Sequence, residues 1–297
     1  MTHIIDGKLI AEEIFLSIKK VVEEKFKLIK LRPKIATVLI GNNPASEIYV
    51  NAKLRAAEKV GISTELVTFK EDINNKKLRE IIISLNKRPD ITGILVQLPL
   101  PNNLDAQIIF ETIDYKKDVD AFGIYNTGLL NHWKSQIMPC TPQGILYILK
   151  KYLKDLSGKK AVIIGRSIIV GRPIASILIK ENCTVTITHS KTINIKEECL
   201  QADILIAATG SPLLVKADWV KKNAFVVDVG ISKVNNKLVG DVDFENIKGT
   251  ASFITPVPGG IGPLTVANLL LNTLKLYLIQ NNLSNDDIII KQTHCHN

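Results

Sequence analysis

Tyr49 and Lys53 stand four residues apart in Pro44–Val60, a segment with a helical apolar period, so they share one face of that helix. An aromatic ring beside an amine suits a planar substrate that must be stacked and then protonated or polarised. The same spacing also fits a tyrosine packed on a lysine stem. Gln97 follows the apolar run Ile91–Val96. Ligands of parallel sheets sit at the carboxyl ends of strands, so an amide there can face a ligand; it can equally cap a loop. The run Lys117-Asp118-Val119-Asp120 puts two acids into a stretch rich in Pro, Asn, Asp and Gly. Such breaks carry function, although most acids in them are surface charges. The family of candidates closes with Thr255–Pro263, TPVPGGIGP, whose glycines and prolines make a stiffened loop with close backbone access. It reads as set apart from any regular element, either as a ligand-facing loop or as a lead-in to a helix.

A different chemistry is written in VIIGRSIIVGRPIA, from Val162 to Ala175. A short β-run, Lys160–Ile164, meets Gly165; a polar turn, Gly171 and Pro173 open a helical run through Lys180; a second β-run, Thr184–Thr188, follows. Strand, glycine turn, helix and strand in that order present a helix N-terminus to a phosphate. The pattern departs from G-x-G-x-x-G, with Ser167 at the second glycine position and Val170 at the third, so an ordinary tight turn fits as well. An NAD site usually places an acid about 20 residues on, at the end of the second strand. Here His189, Ser190 and Lys191 stand there, and Arg166 lies within the turn. Cationic and hydroxyl groups suit a ribose 2′-phosphate, which points to NADP; Arg166 and Lys191 are otherwise solvated surface charges.

Around these residues, β-runs alternate with helical periods almost throughout. Lys34–Ile40, Thr64–Thr68 and Ile91–Val96 read as strands, and Gly7–Lys27, Pro44–Val60 and Asn75–Leu85 as helices. That repeat predicts an α/β fold with a parallel sheet covered on both faces. A break runs from Pro99 to Pro142. A second series starts at Lys159 and continues through Ile204–Ala208 and Ala224–Val229, and a last helix spans Leu264–Ile279.

The 297 residues suffice for two domains, and an apolar fraction of 46% supports a core without disulfides. No apolar run reaches the roughly 20 residues of a membrane span, and the N-terminus lacks a signal peptide's pattern. Cys140, Cys183, Cys199 and Cys295 show no metal or disulfide spacing, which fits a reducing cytoplasm. His294-Cys295-His296 could touch a metal but reads as a frayed terminus, so no metal is expected. The net charge of +9 is scattered, with no basic stripe interleaved with aromatics; it favours anionic small molecules over nucleic acid.

Taken together, IIDGK, NPASEIYVNAK, GILVQLPLP, KDVDAFG, PCTPQG, GRSIIVGRP, VDVGI, GDVDF and TPVPGGIGPLT resemble the methylenetetrahydrofolate dehydrogenase/cyclohydrolase family in order and spacing, from residue 4 to about 280. Ala121 stands where that family commonly has Gly, and Leu264 where it commonly has Met. The resemblance implies a bifunctional enzyme of one-carbon metabolism, feeding purine biosynthesis. It would oxidise 5,10-methylene-tetrahydrofolate with NADP, then hydrolyse the methenyl cation to 10-formyl-tetrahydrofolate. Position by position it implies that Lys53 is the central catalytic residue, that Tyr49 stacks on the folate, that Gln97 holds Lys53, and that Asp120 bonds the pterin edge. Pro258, Gly259 and Gly260 would line the folate side, Gly165, Arg166, Ser167 and Ser190 would meet the cofactor, and Thr141 and Ile231 would lie near the nicotinamide. Asp118→Asn is then expected to be mild.

The expected architecture is α/β, with two domains around a cleft. An N-terminal folate-binding domain, 1–138, is completed by a C-terminal helix within 264–297; a Rossmann-like NADP-binding domain covers 139–263. The family commonly forms homodimers. Two other readings make different demands: a shikimate dehydrogenase-like NADP enzyme, and a basic nucleic-acid binder with steeply salt-dependent affinity.

Overall fold

The computed structural model describes residues 2–284; the tail from 285, with its His294-Cys295-His296 motif, lies outside the described residues. In chain order the elements are β1 (His3–Ile4), α1 (Gly7–Ile29), β2 (Lys34–Ile40), α2 (Pro44–Lys59), β3 (Ser63–Phe69), α3 (Asn75–Asn86) and β4 (Gly93–Val96). Then come α4 (Ala106–Thr112), α5 (Ile124–Asn131), α6 (Cys140–Leu153), β5 (Lys160–Ile164), α7 (Gly171–Lys180), β6 (Thr184–Thr188), α8 (Ile195–Leu200) and β7 (Ile204–Ala207). After a 3₁₀ turn at Ala217–Trp219 the chain continues with β8 (Phe225–Asp228), β9 (Ser232–Val234), β10 (Lys237–Val239), α9 (Phe244–Ile247), β11 (Phe253–Ile254) and α10 (Ile261–Gln280). Two compact units result: one of residues 12–140 with the chain from Val266, the other of the first eleven residues with Thr141–Thr265.

The first of these is built on a three-stranded parallel sheet in the order β3-β2-β4. β2 and β4 are near-continuous runs of Ile, Val and Leu and are buried along almost their whole length, as strands covered on both faces are. β3 differs from that expectation. It is an edge strand whose exposure alternates, so Thr64, Leu66 and Thr68 are exposed while Glu65, Val67 and Phe69 are half-buried. Leu78, Ile82 and Leu85 recur at helical spacing on α3 and pack on Ala36, Val38, Ile40, Ile94 and Val96. Asn74 starts that helix by accepting from Lys77 N at 2.9 Å. α10 contributes its later turns, where Asn272 Nδ2 donates to the Val119 and Met138 carbonyls and Tyr277 Oη donates to the Leu31 carbonyl at 2.7 Å.

The break expected from Pro99 to Pro142 is less irregular than its composition predicts. It holds α4 and α5 and the first turn of α6. α4 spans only 7 residues, too few to show a helical period, and is fixed by Asp105, whose Oδ1 accepts from Gln107 N and Ile108 N.

The other unit is a six-stranded parallel sheet in the order β1-β11-β8-β7-β5-β6. From β5 the chain steps to β6 on one side and then crosses to β7 on the other. That reversal is a topological switch point, the place where such sheets bind ligands. Val162, Ile164, Leu205, Ala207, Val226 and Ile254 form the core of this unit. At its edge, the rings of His3, Tyr152 and Phe253 cluster in tilted contacts, with centroids within 5.5 Å of one another. TPVPGGIGP is not set apart from regular structure. It leaves β11 directly and its last residues form the first turn of α10; β11 has only 2 residues, which no sequence period can register.

Candidate functional site

In the unit of residues 12–140, α2 projects Tyr49 and Lys53 from one face, as their spacing predicts. Tyr49 is 40% exposed, so its ring is free to stack on a ligand. Lys53 is half-buried and its Nζ donates to Gln97 Oε1 at 2.8 Å. Gln97 sits just past the carboxyl end of β4 and is 8% exposed. Its Nε2 donates to the Leu98 carbonyl, which fixes the amide so that the oxygen, and not the nitrogen, meets the lysine.

Asp120 lies close enough to Lys53 for the ammonium to act on its carboxyl. Burial pushes the Asp120 pKa up, against the opposing pull of Lys53 and of the Cys140 thiol. Cys140 Sγ donates to Asp120 Oδ1 at 3.5 Å and lies 3.6 Å from the Val119 carbonyl. Burial, and then the Asp120 charge, hold that thiol well above its ordinary pKa, so it stays protonated and remains a donor. The sequence reading assigned Cys140 no part; the only signal was its place inside PCTPQG.

Asp118 has a different setting from its neighbour. It is 2% exposed, and its Oδ2 accepts from Gly123 N at 2.8 Å and Asn126 Nδ2 at 3.1 Å. Burial raises its pKa to about 6. This carboxylate organises the entry to α5, so the cost of Asp118→Asn belongs to stability, apart from the mild effect on folate chemistry that is expected of it.

In the other unit, Gly165 follows β5 with φ +119, and an added Cβ would lie 2.2 Å from the Ala208 carbonyl oxygen. Gly171, which comes one residue late for the usual fingerprint, abuts Gly165: its Cβ would lie 2.2 Å from the Gly165 oxygen. The two glycines let turn, strand and helix close up without side chains. Ser167 Oγ accepts from Val170 N at 3.1 Å and from Gly171 N at 3.4 Å, so it caps α7 and keeps its own O–H for an acceptor. Arg166, Ser190 and Lys191 are exposed beyond the ends of β5 and β6, and no acid stands among them. A glycine cradle, the Ser167 O–H, exposed cations and hydroxyls form a donor set that fits a dinucleotide bearing an extra phosphate.

Ile231 is 44% exposed just past β8. Thr141 and Thr265 share a 2.8 Å hydrogen bond between their hydroxyls. Gly260 packs so tightly on Gly7 that a Cβ at Gly7 would lie 1.8 Å from the Gly260 oxygen; Gly259 takes φ +104, and Pro258 is exposed. Thr141 and the Pro258–Gly260 segment belong to this second unit, whereas Tyr49, Lys53, Gln97 and Asp120 belong to the first.

Among known families, the model for the tetrahydrofolate dehydrogenase/cyclohydrolase catalytic domain matches residues 5–120, and that for the NAD(P)-binding domain of the same name matches residues 139–281. The bifunctional protein FolD of Pelagibacter ubique is 51% identical over 275 residues, covering 92% of this chain and 98% of that protein. The crystal structure of the bifunctional enzyme FolD, a methylenetetrahydrofolate dehydrogenase/cyclohydrolase from Campylobacter jejuni, superposes with a TM-score of 0.91 at 42% identity, covering 95% of this chain and 99% of that one. The Trypanosoma brucei FolD structure, complexed with NADP cofactor and inhibitor, gives 0.89 at 34% identity, covering 93% and 97%.

Proposed function

From the premise that this chain belongs to the tetrahydrofolate dehydrogenase/cyclohydrolase family, we infer an NADP-dependent enzyme with two activities: oxidation of 5,10-methylene-tetrahydrofolate to the methenyl cation, and hydrolysis of that cation to 10-formyl-tetrahydrofolate. The observation that carries the residue assignment is the 2.8 Å bond from Lys53 Nζ to an amide locked by its own neighbour's carbonyl.

We assign the folate to the domain of residues 1–138, less the first eleven, whose β1 joins the other sheet, completed by the helix after residue 264, and the cofactor to 139–263. Tyr49 stacks on the folate. Lys53, oriented by Gln97, handles the proton of the water that attacks the methenyl carbon. Asp120 accepts from the adjacent N–H donors of the pterin edge, and the Cys140 thiol steadies the same carboxyl. Pro258, Gly259 and Gly260 bring backbone to the folate. NADP, when bound, supplies the hydride acceptor. Gly165, Arg166, Ser167 and Ser190 hold its phosphates, and Thr141 and Ile231 lie beside its nicotinamide. The finer reading is a homodimer in the cytoplasm that feeds purine biosynthesis. Among the described residues no helix is long and apolar enough to cross a membrane.

The test is a spectrophotometric assay of purified protein with methylene-tetrahydrofolate and NADP or NAD in turn, run beside methenyl hydrolysis. Lys53→Met keeps most of the stem and removes the amine. It is expected to lower methenyl hydrolysis by about 10²-fold or more, the usual share of proton transfer, while NADP affinity persists. Near-normal hydrolysis in that variant would remove Lys53 from the mechanism. Activity on shikimate instead of the folate would favour the rival dehydrogenase.

A further inference from the structure

Two buried carboxylates, Asp228 and Asp241, lie at the carboxyl end of the six-stranded sheet, and none of the roles assigned above uses them. Asp228 ends β8 and is 2% exposed; Asp241 follows β10 and is fully buried. Among the described residues neither pairs with a cation, and most of their hydrogen bonds come from backbone amides.

Asp241 Oδ2 accepts from Thr209 N at 2.6 Å, Thr209 Oγ1 at 3.0 Å and Gly210 N at 3.1 Å. These donors form the turn that follows β7. Its other oxygen, Oδ1, has no hydrogen-bond partner and is pressed against the backbone just past β8: a Cβ on Gly230 would lie 2.1 Å from it. Asp241 therefore touches the turn after β7 on one side and the residue before Ile231 on the other.

Asp228 fixes Asp241 in turn. It accepts from Asp241 N at 2.9 Å, Val242 N at 3.0 Å and Gly230 N at 3.1 Å, while its own N–H donates to Thr255 Oγ1 at 2.8 Å. A carboxyl group held by three backbone donors at fixed points allows few other positions for the chain.

What the clasp holds is positioned for a ligand. Ala208, one residue before the clasped turn, is the residue whose carbonyl lies against Gly165. Gly210 has φ +70, and a Cβ there would meet nothing within 4 Å, so the turn fronts open space. Ser232 Oγ donates to the Gly210 carbonyl at 3.3 Å and joins the segment after Ile231 to the same turn.

We propose that Asp241 is a positioning residue for the dinucleotide: it acts through Thr209–Gly210 and through Gly230–Ile231 to hold two cofactor-facing backbone segments in register. The proposal rests on the NADP reading of this unit. It adds a residue on the hairpin return that does not itself face the cofactor.

The experiment uses the full chain with Asp241→Ala, Asp241→Asn and Thr209→Val, and reads the NADP KM and kcat of the dehydrogenase, methenyl hydrolysis without dinucleotide, and thermal unfolding. Asp241→Ala frees the turn and is expected to raise the NADP KM about tenfold or more, the scale of one lost charge-assisted hydrogen bond, while hydrolysis falls less than about twofold. Asp241→Asn keeps one acceptor oxygen for the turn and should fall between wild type and Ala. Thr209→Val removes one donor of the clasp and should raise the NADP KM by a few-fold, on the scale of a single neutral hydrogen bond. Equal losses in both activities would reduce Asp241 to a general support of the fold and overturn the proposal. So would an unchanged NADP KM in folded Asp241→Asn and Thr209→Val, whether or not the Ala variant folds. Failure of the wild-type protein to bind NADP would sink the underlying cofactor reading instead, and is seen separately.

Discussion

Arg166 is exposed and reaches out from the glycine turn, so its removal disturbs little of the fold. Arg166→Ala is expected to raise the KM for NADP far more than that for NAD, because only NADP loses a bond to a phosphate worth roughly 1.5–3 kcal/mol. Equal losses for the two cofactors would show that Arg166 does not meet the 2′-phosphate. Asp118 and Asp120 separate on a different axis. With Asp120 on the pterin edge, as proposed, Asp120→Asn is expected to lower kcat/KM for both folate reactions, with thermal stability little changed. Asp118→Asn should do the reverse. It weakens the acceptor for Gly123 N and Asn126 Nδ2 in a site closed to water, a loss of about 1–3 kcal/mol of stability. Unfolding midpoints and kinetics on the same two proteins decide it. That distinction was not legible in the sequence. Two acids in KDVD look alike as letters, and only the folded partners separate them: Asp118 holds Gly123 N and Asn126 Nδ2, whereas Asp120 takes the Cys140 thiol. The Tyr49/Lys53 face was legible because four residues make one helical turn, whereas the Asp241 clasp was hidden because its partners lie up to 32 residues away and are mostly backbone.

Elements with a strong period declared themselves. Lys34–Ile40, Lys160–Ile164 and Thr184–Thr188 are strands over those same residues, since runs of that length rich in β-branched residues favour the pleated strand. α4, α5, β1 and β11 did not, because seven or eight residues, or two, carry no period and are set by capping and by neighbouring strands. The glycine turn lies between these cases. Its departure from the usual fingerprint left its role open in the sequence, and the structure gives the physical reason for its two glycines. Gly165→Ala should therefore fail in a way that its mild chemistry does not announce. The new methyl would stand 2.2 Å from the Ala208 oxygen at a φ that L-residues avoid, so strand end and turn must separate. We expect NADP binding to be lost and the unit of residues 141–265 to lose more than about 1 kcal/mol, the low end of such backbone strain. Methenyl hydrolysis without dinucleotide should survive better. Normal NADP affinity in Gly165→Ala would place the cofactor elsewhere.

At the scale of the whole molecule, buried and surface carboxylates pull stability in opposite directions with pH. Glu65, on the edge strand β3, accepts from Arg88 at 2.6 and 2.9 Å and pairs with Lys34 at 2.7 Å. Those cations hold its pKa down at about 2, below the ordinary 4.5, so folding releases its proton more readily. Its contribution is complete above about pH 4.5 and is lost as the pH falls towards 2. Asp118 in one unit and Asp228 in the other are raised by burial from 3.8 to about 6 and about 7. Between those values and 3.8 the folded chain binds more protons than the unfolded one, so stability declines as pH rises through that window. The two effects together place the stability maximum on the acid side of neutrality, with loss on both flanks. Denaturant midpoints from pH 7.5 down to 3, followed by a probe in each unit, are expected to rise on acidification to about pH 5 and then to fall. Glu65→Gln should flatten the fall below pH 4.5 in the unit that contains it and leave the rise above pH 5 intact. A steady loss of stability in both units from pH 7.5 to 5 would mean that Asp118 and Asp228 are already charged in the folded chain at the low end of that range.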